Sequence, residues 1–129
     1  MTYMDRLLRE LDLFDSAGAP VLSLYLPVES ETGLDMLTRA TRLVRSLATD
    51  MPEAAQADLA RELEEVRDYV GSLVAAPAGL AIFCCARRGF FRVARLSERV
   101  HEYACWQPEP ETGPLRQVAG STGLLTPVA

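Results

Sequence analysis

Few side chains in this sequence have the chemistry to catalyse. Cys84, Cys85, Cys105 and His101 supply every thiol and imidazole in 129 residues. Cys84 and Cys85 are adjacent. Neighbouring residues of a strand point to opposite faces, so the pair does not readily share one tetrahedral metal site. There is no CxxC spacing, and three is an odd number for a disulfide framework. The expectation is buried structural thiols, with Cys105 near the other two across a sheet. His101 and Cys105 fall on one face of an alternating segment, a geometry open to a nucleophile and its base. Nothing beside them marks an oxyanion hole or an orienting carboxylate, so a strand histidine at the surface is the simpler reading. Glu29, Glu31 and Asp35 gather after an apolar segment. They read as solvated acids at a helix start, where negative charge is favoured, ahead of a metal or acid–base site. The GxGxxG, GxxxxGK[ST] and GxSxG fingerprints of dinucleotide, nucleotide triphosphate and serine-hydrolase chemistry are missing. No catalytic residue, metal or cofactor is expected.

The charged residues carry more information. All 13 basic residues are arginine, against 18 acids, for a net charge of -5. A general nucleic-acid binder would be basic. The distribution is uneven, however. No acid occurs between Met36 and Thr49, a segment with Arg39, Arg42 and Arg45. None occurs between Ala86 and Leu96, where Arg87, Arg88 and Arg92 interleave with Phe90 and Phe91, and Arg95 and Arg99 extend the group. Guanidinium forks bind phosphate bidentately and stack on bases. Arg39, Arg42, Arg45, Arg87, Arg88 and Arg92 are therefore the candidate contacts for RNA or another partner. The plain alternative is a hairpin whose charges keep an edge strand soluble.

These residues need elements to hold them. Met4, Leu7, Leu8, Leu11 and Phe14 form a helical stripe over residues 2–15, stopped near Gly18. Residues 21–26 are apolar on both parities and predict a buried strand ending at Pro27. Residues 34–48 predict a helix with its arginines outward. Asp50 is a natural N-cap for the next helix, with Glu53 completing a capping box. That helix runs to about Val74, with Leu59, Leu63, Val66, Val70 and Leu73 as a narrow seam. Its other face is acidic through Glu62, Glu64, Glu65 and Asp68. Residues 79–86 predict the central strand, and Arg87-Arg88-Gly89 a hairpin turn with glycine at positive φ. Residues 90–96 and 100–106 complete a three-strand meander, and residues 115–119 one last helical turn. The fold class is α/β, in the order α-β-α-α-β-β-β: a mixed four-stranded sheet with a two-helix hairpin packed on one face. Residues 1–119 form a single domain and 120–129 a loose tail. The acids of the first 15 residues exclude a signal peptide, and no run is long enough to cross a bilayer. The cytoplasm is the expected compartment.

The run Ala19-Pro20-Val21-Leu22-Ser23-Leu24-Tyr25-Leu26-Pro27, an arginine-bearing helical pair, and then Gly79-Leu80-Ala81-Ile82-Phe83-Cys84-Cys85 resembles a known arrangement. It is similar to the amino-terminal domain of archaeo-eukaryotic peptide-chain release factors, and closer still to their bacterial release-factor-like relatives. The likeness spans residues 19–119. It implies an α/β sandwich with a four-stranded sheet and a role in codon recognition at the ribosome. The family's Asn-Ile-Lys-Ser motif corresponds to Thr49-Asp50-Met51-Pro52-Glu53, which is acidic. Tyr103 and Cys105 match the family's Tyr-x-Cys motif, with Glu109 in place of its phenylalanine. The family's Gly-Gly-Gln motif belongs to a later domain and is not expected here. The resulting expectation is a non-enzymatic, translation-related binding domain contacting the ribosome or RNA. The alternative is a protein-interaction or homodimerisation module that binds other release-factor-like domains or itself. A small Cys/His enzyme is the remaining reading, and no membrane partner is expected.

Overall fold

The computed structural model describes residues 2–28, 33–73 and 77–121. The first helix, α1 (Tyr3–Leu13), starts at a capping box: the Asp5 amide donates to Thr2 Oγ1 at 3.0 Å, and the Thr2 amide donates to Asp5 Oδ2 at 3.3 Å. Two of the orphan amides of the helix start are thereby satisfied. Leu7 and Leu11 are its buried stripe. Ala17 and Gly18, at φ 55° and 85°, turn the chain into β1 (Val21–Pro27).

Every residue of β1 is buried, and so is every residue of β2 (Gly79–Cys85). Alternation divides them between two cores. Leu22, Leu24, Leu26, Leu80, Ile82 and Cys84 face α2 (Gly33–Ala48) and α3 (Glu53–Gly71), which bury Met36, Ala40, Val44, Leu59, Val66 and Val70 against them. Val21, Tyr25, Ala81, Phe83 and Cys85 face Leu7 and Leu11 of α1 and Leu115 and Val118 of α4 (Gly113–Ser121). Helices thus cover both faces of the sheet.

The four strands, the element order and the helical hairpin on one face match the sequence reading. Three details differ. The sheet, ordered β3-β2-β1-β4, is antiparallel at every pairing rather than mixed. Two helices make an out-and-back excursion, so the chain re-enters the sheet at the end where it left. Pro27 lies opposite Gly79 accordingly. Second, β3 (Phe90–Leu96) pairs with β2, but β4 (Tyr103–Gln107) does not extend the meander; it crosses to the far edge of β1. At β3 the Tyr3 hydroxyl donates to the Val93 carbonyl. Third, β4 begins at Tyr103, so Val100 and His101 belong to the crossing.

Two boundaries move as well. The N-cap of α3 is Pro52, with no side-chain cap, rather than Asp50. Gln56 ties the interhelical turn instead, donating to the carbonyls of Ala48 at 3.2 Å and Met51 at 2.9 Å. The final helix is nine residues long and ends at Ser121. The remainder of the expected tail lies outside the described residues.

Candidate nucleic-acid interface

The arginines of α2 divide by their position around the helix. Arg39 leans toward β4, where its Nη1 donates to Glu102 Oε1 at 2.6 Å. Arg42 Nη2 donates to both oxygens of the same carboxylate at 3.2 Å. These bonds, that of Arg42 first, hold the Glu102 carboxyl below its ordinary range. One acid of the crossing therefore engages two of the three expected contact residues. Arg45, a turn further along, is exposed and has no ion-pair partner among the described residues.

Between the outer faces of α2 and α3 lies an open groove of about 620 Å³, lined by Leu37, Thr38, Thr41, Arg42, Arg45 and Arg67. Arg67 was not among the expected residues, because in sequence it sits between Glu64, Glu65 and Asp68 in an acidic arm. The signal was present: one step past Val66 at 100° per residue is the flank of the buried seam that turns to α2. Arg67 likewise has no ion-pair partner among the described residues.

The second basic group occupies the β2–β3 hairpin. A short 3-10 turn, Ala86–Arg88, ends at Gly89 with φ 60°, the positive value expected of the glycine. Arg87 is paired with Asp58 of α3, which also accepts from Arg61 at 2.5 Å. Hydrogen bonds from Arg61 and then Arg87 hold the Asp58 carboxyl below its ordinary range. Arg92 donates to Glu10 at 2.8 Å and lies over the Phe90 ring, 4.8 Å from its centroid. Arg88 is exposed and has no ion-pair partner among the described residues. Asp58 reaches the hairpin from one flank of α3 while Arg67 lines the groove on the other. The two basic groups are thus kept apart by α3 and form no single patch.

Glu62 anchors the hairpin. The sequence placed it on the outer acidic face, but it is 2% exposed. Both its oxygens accept from the Ala86 amide, at 2.9 and 3.0 Å. Leu59, Glu62 and Val66 are spaced 3 and 4, so the seam itself carries this carboxylate inward. Burial pushes its pKa up, against the hydrogen bonds from Ala86 and Cys84 that pull it down.

The thiols and the histidine are not gathered. Cys84 and Cys85 are buried on opposite faces of the sheet. Cys105 lies opposite Ser23 on β4, with β1 between it and β2, so it is not near the pair. Burial raises the pKa of all three thiols. His101 is exposed in the crossing and lines a groove with Pro27, Arg39 and Arg99, apart from Cys105. Among the described residues no three of His, Cys, Asp and Glu come close enough to hold a metal ion. The Glu29, Glu31 and Asp35 cluster lies outside the residues whose side chains are described. Among the described residues no helix is long and apolar enough to cross a membrane.

Tyr103 and Cys105 share a face with Tyr25 and Ser23. Behind them the Tyr25 hydroxyl donates to the Glu111 carbonyl at 2.5 Å, and the Glu111 amide donates to Ser23 Oγ at 2.8 Å. Ser16 Oγ holds the Pro108 carbonyl at 2.7 Å. These buried polar groups fold the segment after β4 back onto the sheet and set the start of α4. Tyr103 remains 43% exposed.

By sequence, no family model and no curated protein matches the chain. By structure, it superposes on an archaeal translation termination factor, aRF1, with a TM-score of 0.68 and 20% identity over 92% of its length. The chain has the fold of part of that factor. It also superposes on a structure described as an archaeal protein, with a TM-score of 0.66 and 22% identity over 88% of its length. It spans 33% of the first chain and 34% of the second. The release-factor-like fold expected from residues 19–119 is therefore present, and at this identity the likeness carries the fold alone.

Proposed function

We propose that this domain acts by binding rather than by catalysis, as a translation-related module that contacts the ribosome through RNA. The observation that carries this reading is the fold it shares with a translation termination factor over 92% of its length. Arg45, Arg67 and Arg88, exposed and without an ion-pair partner among the described residues, support it, since guanidinium groups outside ion pairs keep local attraction for phosphate despite an acidic average charge. Stop-codon reading by the motifs of the classical factors is not part of the proposal: the turn at residues 49–53 is acidic and Glu109 stands where the second motif has phenylalanine. The binding reading also fits thiols whose pKa values are raised, which makes them poorer nucleophiles. The proposed setting is the cytoplasm, with the ribosome as partner.

The test is co-sedimentation of the full chain with ribosomes. Binding is expected at about 50 mM salt and release at several hundred millimolar, as phosphate contacts require. Replacing Arg87 and Arg88 with Glu should weaken it, mainly through Arg88, because Arg87 already serves Asp58. A chain that stays in the supernatant at low salt, or forms a salt-insensitive dimer instead, would overturn the reading in favour of a protein-interaction module.

A further inference from the structure

The groove between α2 and α3 has a composition that narrows what it takes. Among the described residues its lining is three guanidinium groups, two threonine hydroxyls and one leucine, with no acid and no aromatic ring. Arg42 and Arg45 are three residues apart on one helix, neighbours along its surface with Cβ atoms about 5–6 Å apart. Thr38 and Thr41 repeat the same step beside them, and Arg67 faces them from α3. The result is a group of cations flanked by hydroxyls, with Leu37 beside them. Glu102 holds the Arg42 guanidinium from outside this lining, and among the described residues no carboxylate enters it.

Proteins that hold single-stranded RNA stack its bases on aromatic side chains, and this groove offers none. Helical RNA turns its bases inward and presents phosphates and 2′-hydroxyls, which are recognised by shape and by polar contacts. Guanidinium groups suit the phosphates, and a threonine hydroxyl both donates to and accepts from a 2′-hydroxyl. Building on the RNA reading above, we infer that this groove seats the sugar–phosphate backbone of a helical RNA segment, without reading its sequence. The hairpin arginines, on the other flank of α3, are not needed for this contact.

The probes are a labelled RNA hairpin with a fully paired stem and an oligouridylate of equal length, bound to the full chain and followed by fluorescence anisotropy. The hairpin is expected to bind more tightly. The Arg45→Glu, Arg67→Glu double variant is expected to bind it about tenfold more weakly or worse, and to lower the slope of log affinity against log salt by about two. Both side chains are exposed and have no ion-pair partner among the described residues, so an unchanged thermal melt serves as the folding control. A double variant that binds the hairpin as the wild type does, while the wild type still co-sediments with ribosomes, overturns the groove and leaves the broader reading intact. Tighter binding to oligouridylate overturns the helical-RNA assignment alone. A wild-type chain that binds neither RNA nor ribosomes overturns both.

Discussion

Replacing Glu62 with alanine is expected to lower stability by about 2–3 kcal/mol, measured by urea unfolding, although the residue sits in a helix full of exposed acids. Three effects compete. The Ala86 amide loses a charge-assisted hydrogen bond worth about 1.5–3 kcal/mol. The one buried methylene that alanine lacks loses its burial, about 0.8 kcal/mol. Against these, the variant no longer keeps a carboxylate out of water. That relief makes the loss smaller at neutral pH than in acid. The sign follows from the raised pKa. Between the ordinary value of 4.5 and the raised one, the native state holds a proton that the unfolded chain has released. Wild-type stability therefore falls as pH rises through that window, and Glu62→Gln, which keeps an acceptor for Ala86 but cannot ionise, removes the slope. Asp58 and Glu102 act in the opposite sense. Their lowered values give stability that is present above the ordinary carboxylate range and lost as pH falls through it. The wild type should be most stable in mild acid. A stability profile for Glu62→Gln that overlays the wild type from about pH 4 to about pH 8 would contradict the burial. Because Ala86 opens the turn that displays Arg87 and Arg88, the alanine variant should also speed amide exchange at the hairpin tip.

What could be read from the sequence was what depends on local periodicity. The continuous apolar runs of β1 and β2, and the stripes of α1, α2 and α3, fixed the element order and most of the core. The positive φ of Gly89 followed from turn chemistry. The strand order did not follow, because β4 was placed beside its nearest neighbour in sequence. Its true place at the β1 edge goes with contacts distant in sequence: Tyr25 and Ser23 of β1 hydrogen-bond Glu111, beyond β4, from 86 and 88 residues away. For the site, residue type was legible and pairing was not. Arg39, Arg42 and Arg87 lie in acid-free stretches, yet Glu102 and Asp58 reach them from 63, 60 and 29 residues away. The reverse happened with Arg67, surrounded by acids in sequence and free of them in the groove. Local charge density along the chain therefore does not report which guanidinium groups the fold pairs with acids.

Gly79→Ala is the second substitution with a large expected effect, and it tests the strand order directly. Gly79 starts β2, where the crossing from β3 to β4 passes over the end of the sheet. A Cβ there would lie 2.6 Å from the Glu98 carbonyl oxygen and 3.3 Å from a Val100 methyl. The first contact is with backbone, so relief requires moving the crossing itself. Val100 is buried in the core beneath it and resists that movement. Overpacking of this kind costs about 1–3 kcal/mol, and a lowering of Tm by about 5–10 °C should follow. Gly71→Ala is the internal control. It lies at the last turn of α3 with no atom within 4 Å of an added Cβ, so the melt should be unchanged or raised. A crossing that ran elsewhere, as in a simple meander, would leave Gly79→Ala as silent as Gly71→Ala. The consequence extends to the groove. The same crossing carries Glu102, the carboxylate that holds Arg39 and Arg42 against β4. Displacing it should loosen Arg42 from its fixed position while leaving Arg45 and Arg67 in place. RNA affinity in Gly79→Ala should therefore change far less than stability, and a loss of RNA binding as deep as that of the Arg45→Glu, Arg67→Glu double variant would place the contact on the crossing instead.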